Sequence, residues 1–408
     1  MAQMRILQIH KHDYPSSGGA IVMLRLHHGL KKAGFDSKIL SAVKKLETDD
    51  SIAIPRSRGL ESQLRRFTAR LGLNDIHCVS SFGIRHNKVY LDTDILHLHG
   101  IHGGFFSYLA LPSLTKSKPT VFTLHDMWAF SGRCAMSYDC DRWKIGCGKC
   151  PYPDAHPAIR RDGTHIEWKL KDWVYSRSDL TIVTVSKRQT EQARQSMLKR
   201  FPIHWIPNGV DCEIYHPLDS ERCRALLGIP SAKKVLMFAS MGLHYFSKGG
   251  DLLLKALQGL PKSLKAETVL LLLGHGGEAI AETAGLQTLR LGYISNDRRK
   301  TVAYSAADLL VSPTRAEAFG LVILESMACG TPMVSFDVGG VPDLVRPGIT
   351  GYLAEPENAE DLRDGIVQLL EDEPQRSYMS QKCREIALKE YTLELQVQRH
   401  IELYRQLV

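Results

Sequence analysis

In the stretch SPTRAEAFGLVILESMACGTPMVSFDVGGVPDLV, residues 312–345, two glutamates stand eight positions apart, Glu317 ahead of an expected helix start and Glu325 inside the helix. The first amides of that helix, from Phe319 to Leu321, lack partners within it and carry partial positive charge. Gly320 lets a ligand approach the backbone, and the group such an arrangement suits best is a phosphate. More than a turn further on, Glu325 can accept two hydroxyl hydrogen bonds, as from a ribose. Glu317, on the loop, suits sugar hydroxyls or a developing positive charge. A diphosphate held between a ribose and a second sugar uses all three features together. For either glutamate alone, a solvated side chain beside a core helix is the plainer reading.

Other residues have the right types to join this chemistry. Lys248, in FSKGGDLLLKAL, lies just before a helix opening at the end of a strand and offers a point charge for a diphosphate. Gly18 and Gly19, in YPSSGGA, join the first strand to the first helix and fit a tight loop that brings backbone close to a ligand. In TLHDMW, His125 and Asp126 end another strand. His97, His99 and His102 lie in LHLHGIHGG, where the His-x-His spacing comes without a carboxylate. They are read as lining an acceptor cleft rather than holding a metal.

Cys134, Cys140, Cys147 and Cys150 crowd into CAMSYDCDRWKIGCGKCP. Four thiolates in a short loop suit a tetrahedral structural zinc with a scaffold role, and a pair of disulfides or free thiols are the alternatives. The stretch RGLESQLRRFTARLGL, 58–73, puts Leu60, Leu64, Phe67 and Leu71 on one helical face with Arg58, Arg65, Arg66 and Arg70 around it. It fits a helix lying on an anionic membrane, and equally a core-facing helix with a solvated basic side.

These residues need a frame, and the pattern supplies one. RILQI, SKILSA, DILHLH, TVFTLH and LTIVTVS are strand-like, and KVLMFAS, TVLLLLG, LQTLRLG, ADLLVSP and PMVSF repeat the plan. Helical patterns separate them, at 20–33, 249–260, 297–307 and 320–329 among others. Strands alternating with helices mean parallel sheets wound on both faces, here two in series. The expected domains are 1–205, with a cysteine-rich insertion at about 131–153, and 206–390. A final amphipathic helix over 391–408 packs back on the first domain. In open α/β sheets ligands sit at the carboxyl ends of strands, so two facing domains imply a deep cleft.

The 408 residues carry 44% hydrophobic and 24% charged side chains, which excludes a disordered chain. The apolar runs are strand-sized, well short of the roughly 20 residues of a membrane span. The opening MAQMRILQIH has no signal pattern, and the expected location is cytoplasmic, peripheral at the inner face of the cell membrane if the basic helix docks there. A net charge of +8 permits an anionic partner without requiring one. Interleaved aromatic and basic residues on one strand surface are missing, which argues against nucleic acid.

EAFGLVILE followed by ESMACGTPMVSFDVGGVPDLV resembles the signature of retaining glycosyltransferases of family 4, of the bacterial polysaccharide-biosynthesis type, and the likeness covers nearly the whole chain. The resemblance implies the α/β GT-B fold and transfer of a sugar from a nucleotide-sugar, UDP- or GDP-linked, with retained configuration and no catalytic cofactor or metal. The implied acceptor is a growing surface polysaccharide or lipid-linked saccharide. It also implies that Glu317 contacts the donor sugar near the reacting centre, that the amides of Phe319, Gly320 and Leu321 hold the diphosphate, and that Glu325 holds the ribose. His125 would orient the donor sugar, and backbone groups near Ile294 the base edge. The family usually carries an arginine five residues before the lysine, where this chain has Leu243 after Gly242. A nucleotide-sugar epimerase or a phosphorylase of the same fold is the rival within the architecture. A non-enzymatic membrane- or nucleic-acid-binding protein is the rival from another class.

Overall fold

In the computed structural model, which describes residues 3–408, the chain divides into two units, one running to Pro207 and taking in Gln396–Val408, the other Asn208–Leu395. The first unit is built on seven strands: β1 (Arg5–His12), β2 (Asp36–Val43), β3 (Ser51–Ala53), β4 (Ile95–His99), β5 (Thr120–Leu124), β6 (Thr181–Thr184) and β7 (Ile203–Trp205). They pair in parallel in the order β3-β2-β1-β4-β5-β6-β7. β4 and β5 are buried at every position, as parallel strands covered on both faces should be. The second unit has β8 (Lys234–Gly242), β9 (Thr268–His275), β10 (Gln287–Gly292), β11 (Leu309–Ser312), β12 (Met333–Phe336) and β13 (Gly351–Ala354). Their order is β10-β9-β8-β11-β12-β13, again parallel throughout.

Both orders reverse direction at one point, between β1 and β4 in the first sheet and between β8 and β11 in the second. Loops leaving the two strands at such a point diverge to opposite faces and open a crevice at the strands' carboxyl ends. The loops after β8 and β11 carry Lys248 and Glu317, so the topology alone sends both to the same crevice.

The helix after β1 spans Gly18–Lys32, with Ser17 as its cap accepting from the amide of Ala20 at 3.2 Å. Gly18 and Gly19 are therefore its first residues rather than a separate tight loop. Gly34, at φ +86°, ends it, and the Phe35 amide returns to the carbonyl of Leu30. The last helix, Leu393–Leu407, anchors in the first unit. Val397 lies so close to Gly29 that a Cβ there would stand 2.3 Å from its Cγ2. The Tyr404 hydroxyl pairs with His97 Nδ1 at 2.6 Å, beneath β4.

Candidate functional site

Lys248 and Glu317 meet in the second unit, Nζ to Oε2 at 2.7 Å. Three contacts bring their loops together. The carbonyl of Ser247 accepts both the amide of Arg315 at 2.8 Å and the hydroxyl of Thr314 at 2.9 Å. The Arg315 guanidinium donates to the carbonyl of Phe246 at 2.9 Å and stacks over its ring. Arg315 is itself pinned, by two bonds of 2.7 Å to Asp251 and one of 2.8 Å to Glu357. Its hydrogen bond to Asp251 holds that carboxyl below its ordinary range. Gly249, at φ +69°, permits the approach: a Cβ would sit 1.8 Å from the carbonyl oxygen of Pro313. Gly339, at φ +51°, supports Glu317 from the other side in the same way, 1.8 Å from its carbonyl, which also accepts the Gly340 amide at 2.9 Å.

The helix Leu321–Ala328 starts immediately beyond, with Gly320 at φ +102° as its cap. The carbonyl of Gly320 accepts from Leu324 at 2.9 Å, so the amides just ahead of Leu324 have no carbonyl within the helix. Phe319 is buried and anchors the turn. Glu325, one turn in, is buried, and its Oε2 accepts from the Tyr304 hydroxyl at 3.1 Å. Ile294 is half-buried in the loop after β10, next to Tyr293, whose ring stacks on His275 at 4.9 Å. Leu243, in the place of the expected arginine, is a core residue, packed with Ile280 and Leu272.

In the first unit, His125 follows β5 and packs flat on the start of the first helix. A Cβ on Gly19 would stand 3.1 Å from its Cδ2, so glycine is needed for close packing rather than for an unusual backbone. His125 Nε2 pairs with His99 Nδ1 at 3.1 Å. Burial pushes the His125 pKa down to about 3, which keeps the ring neutral. His97 and His99 are fully buried instead of lining an exposed cleft, and His97 uses both nitrogens, on Tyr404 and Thr123. His102 pairs with Asp126 at 2.8 Å; against the cost of burial, the Asp126 charge and hydrogen bond raise its pKa.

The zinc expected at Cys134, Cys140, Cys147 and Cys150 is not supported. The four are free thiols lining one cavity of about 20 Å³, but no three His, Cys, Asp or Glu side chains among the described residues form a metal-ligand group. Burial raises the pKa of the Cys134 and Cys147 thiols, the latter to about 12. Cys147 Sγ accepts the Gly132 amide at 3.1 Å, and the guanidinium of Arg133 stands 3.9 Å from Cys150 Sγ. A cation among the cysteines would have to displace or tolerate that charge.

Sequence reasoning overlooked a buried pair behind this loop. Lys171 donates to the carbonyls of Trp128 and Ser131 at 2.7 and 3.1 Å, and lies over the Trp128 ring. Glu167, one turn earlier, accepts the Asn74 amide at 3.2 Å, and burial pushes its pKa up to about 8. The i,i+4 spacing on an otherwise amphipathic helix was the available signal.

Residues 16–214 match the family described as Glycosyltransferase Family 4, and residues 219–386 the family described as Glycosyl transferases group 1. The D-inositol 3-phosphate glycosyltransferase of Mycolicibacterium smegmatis is 28% identical over 291 residues, 69% of this chain and 60% of its own length. That of Mycobacterium leprae is 35% identical over 172 residues, 40% of this chain and 39% of its own. The chain thus spans 60% or less of these relatives. Sucrose-phosphate synthase of Thermosynechococcus elongatus superposes with a TM-score of 0.74 at 20% identity, covering 99% of both chains. Anabaena HepE, described in complex with UDP and glucose, does so at 0.69 and 18%, covering 99% of this chain and 100% of its own. These likenesses show the fold, two parallel-sheet units of the GT-B kind.

Proposed function

The chain belongs to glycosyltransferase family 4, of the GT-B fold, and from that premise we propose that it moves a sugar from a nucleoside-diphosphate sugar to an acceptor hydroxyl, retaining the anomeric configuration. The observation that carries the reading is the Lys248–Glu317 pair of 2.7 Å at the switch point of the second sheet, beside the Gly320 helix start. A cation and unpaired amides suit a diphosphate, whose charge grows as the sugar departs. Glu317, alongside, suits the positive charge that develops on the sugar.

In this reading Lys248 and the amides around Gly320 stabilise the leaving diphosphate, so the step calls on no catalytic metal. The departing phosphate oxygen takes the proton of the acceptor hydroxyl as that hydroxyl attacks the same face. No separate general base is then required. Glu325 holds the ribose, with Tyr304 fixing its carboxylate, and backbone near Ile294 meets the base. The second unit is assigned to the donor. The first is assigned to the acceptor, and Gly18, Gly19 and the neutral His125 are its candidates for contact with the donor sugar.

The acceptor in this reading is a carbohydrate or a lipid-linked saccharide. Inositol 3-phosphate is the specific alternative, because the mycobacterial relatives are named for it. A thermal-shift panel of nucleotide-sugars tests the assignment, beginning with the uridine series because HepE is described with UDP and UDP-glucose. A bound donor must raise the melting temperature, and Lys248→Ala must reduce the rise at the same donor concentration. A panel in which no nucleotide-sugar shifts the wild-type protein would overturn the proposal.

A further inference from the structure

His99 ends β4 and His125 follows β5, and a bond of 3.1 Å joins Nδ1 of the first to Nε2 of the second. The rings are nearly coplanar, 18° apart with centroids at 5.3 Å. That is the arrangement of two imidazoles meeting edge to edge through one in-plane N–H···N bond. Burial keeps both rings neutral, lowering the His99 pKa well below its ordinary value and that of His125 to about 3. One ring therefore gives the proton and the other the lone pair, and either choice fixes both tautomers.

The second nitrogen of His99 decides the direction. Its Nε2 is buried and has no hydrogen-bond partner among the described residues. Were His125 the donor, His99 would accept at Nδ1 and carry its own proton at Nε2, an N–H buried with nothing to receive it. Were His99 the donor, Nε2 would hold only a lone pair. An unmet lone pair is the lesser cost, so His99 donates. Its ring is held in place for this. His97, two positions earlier on the same face of β4, stacks on it with centroids 3.9 Å apart. His97 is itself fixed by Tyr404 and Thr123, at 2.6 and 2.7 Å. Asp126, the carboxylate next to His125 in sequence, is spent on His102 and on the Trp128 amide, both at 2.8 Å. On His125 itself, Gly19 lies over the Cδ2–Cγ edge, and Nδ1 stands on the other edge of a half-buried ring.

We propose that His99 is a positioning residue for His125. By donating from Nδ1 to Nε2 it fixes His125 as the Nδ1–H tautomer, which can offer a hydrogen to a hydroxyl oxygen of the donor sugar but has no free lone pair to take a proton from the acceptor. The tautomer stands on these rings alone; its part in transfer rests on the donor-sugar contact proposed for His125. The test is a long-range nitrogen–proton correlation spectrum of the full chain carrying nitrogen-15 histidine, at neutral pH. Protonated and bare ring nitrogens resonate far apart there, and His125→Asn identifies the His125 signals. The wild type should show His125 protonated at Nδ1 and bare at Nε2. His99→Asn, whose amide nitrogen can stand where Nδ1 stood, should keep that tautomer, and His99→Leu should move it toward Nε2–H. For release of UDP from UDP-glucose, His99→Leu should lower kcat/KM by about tenfold, as loss of one hydrogen bond does, with His99→Asn within about threefold of wild type. Affinity for UDP, which lacks the sugar, should be unchanged in both, and this also reports that they are folded. A wild-type His125 protonated at Nε2 would overturn the proposal, even if His99→Leu fails to fold. So would the Nδ1–H tautomer persisting in His99→Leu. A changed tautomer with undiminished turnover would overturn the part in transfer, while leaving the nucleotide-sugar reading to the donor panel.

Discussion

Removing Glu317 should have opposite effects on binding and on turnover. Lys248 is held by the Glu317 carboxylate at 2.7 Å, with the two side chains 30% and 21% exposed. A diphosphate entering the site must share that lysine. Fully exposed pairs contribute 0.2–1 kcal/mol, and this one, being partly sheltered, belongs at the top of that range, about 1 kcal/mol. Glu317→Ala should therefore tighten nucleoside diphosphate binding by about fivefold. Turnover should fall by about a hundredfold or more, since a charge placed for the transition state is lost. Lys248→Ala should weaken the same ligand by about tenfold or more, as loss of a charged hydrogen bond does. Titration calorimetry with UDP on wild type, both single variants and the double variant closes the cycle. The tightening caused by Glu317→Ala should largely vanish once Lys248 is absent. An unchanged or weakened affinity in Glu317→Ala would show that the pair does not control access to the lysine, and near-normal turnover would remove Glu317 from the reacting centre.

Gly339→Ala forces a side chain into left-handed backbone and toward the Glu317 carbonyl 1.8 Å away. It should cost at least about 1–2 kcal/mol in a melting curve, the left-handed backbone term alone, and depress kcat, while UDP affinity stays within a few fold. Glu325→Ala should raise the donor KM by about tenfold with kcat little changed, reflecting ribose hydrogen bonds; a steady KM would remove that assignment. Glu167 keeps its proton to about pH 8 when folded but ionises near 4.5 when unfolded, so its burial costs more stability as pH rises between those values. Glu167→Gln should then raise the melting temperature at pH 8, by the equivalent of at most about 4 kcal/mol, and change it little at pH 4. Scanning calorimetry at the two pH values checks the sign.

The strand and helix alternation was legible because both sheets are parallel and covered on both faces, so β5 and β9 read as largely apolar runs bounded by turn formers. Lys248 and Glu317 could be placed for the same reason, each at the carboxyl end of a strand bordering a switch point. Their direct pairing could not, because it depends on Arg315 and Gly249 stitching two loops some 70 positions apart in sequence. The contact of Gly19 with His125 is equally non-local, and hence the glycines read as a loop when they open a capped helix. Cysteine spacing suggested a ligand set, yet Arg133, an immediate neighbour in sequence, turns its guanidinium toward the same cavity. The stripe of the Arg58–Arg70 helix was visible, but its direction was not, since a buried Glu61 contradicts what amphipathic pattern alone implies.

The central claim is that the chain breaks the bond between a sugar and a nucleoside diphosphate and returns the sugar on the same face. The most direct measurement needs no knowledge of the acceptor. Slow transfer to water is followed by proton NMR in the first minutes after an α-linked nucleotide-sugar is added, with Glu317→Ala as the background control. The account predicts nucleoside diphosphate released together with the α-sugar, ahead of its mutarotation, and neither in the control. Initial release of the β-sugar would contradict retention, and a donor panel from which no nucleoside diphosphate is ever released would contradict the transferase reading itself.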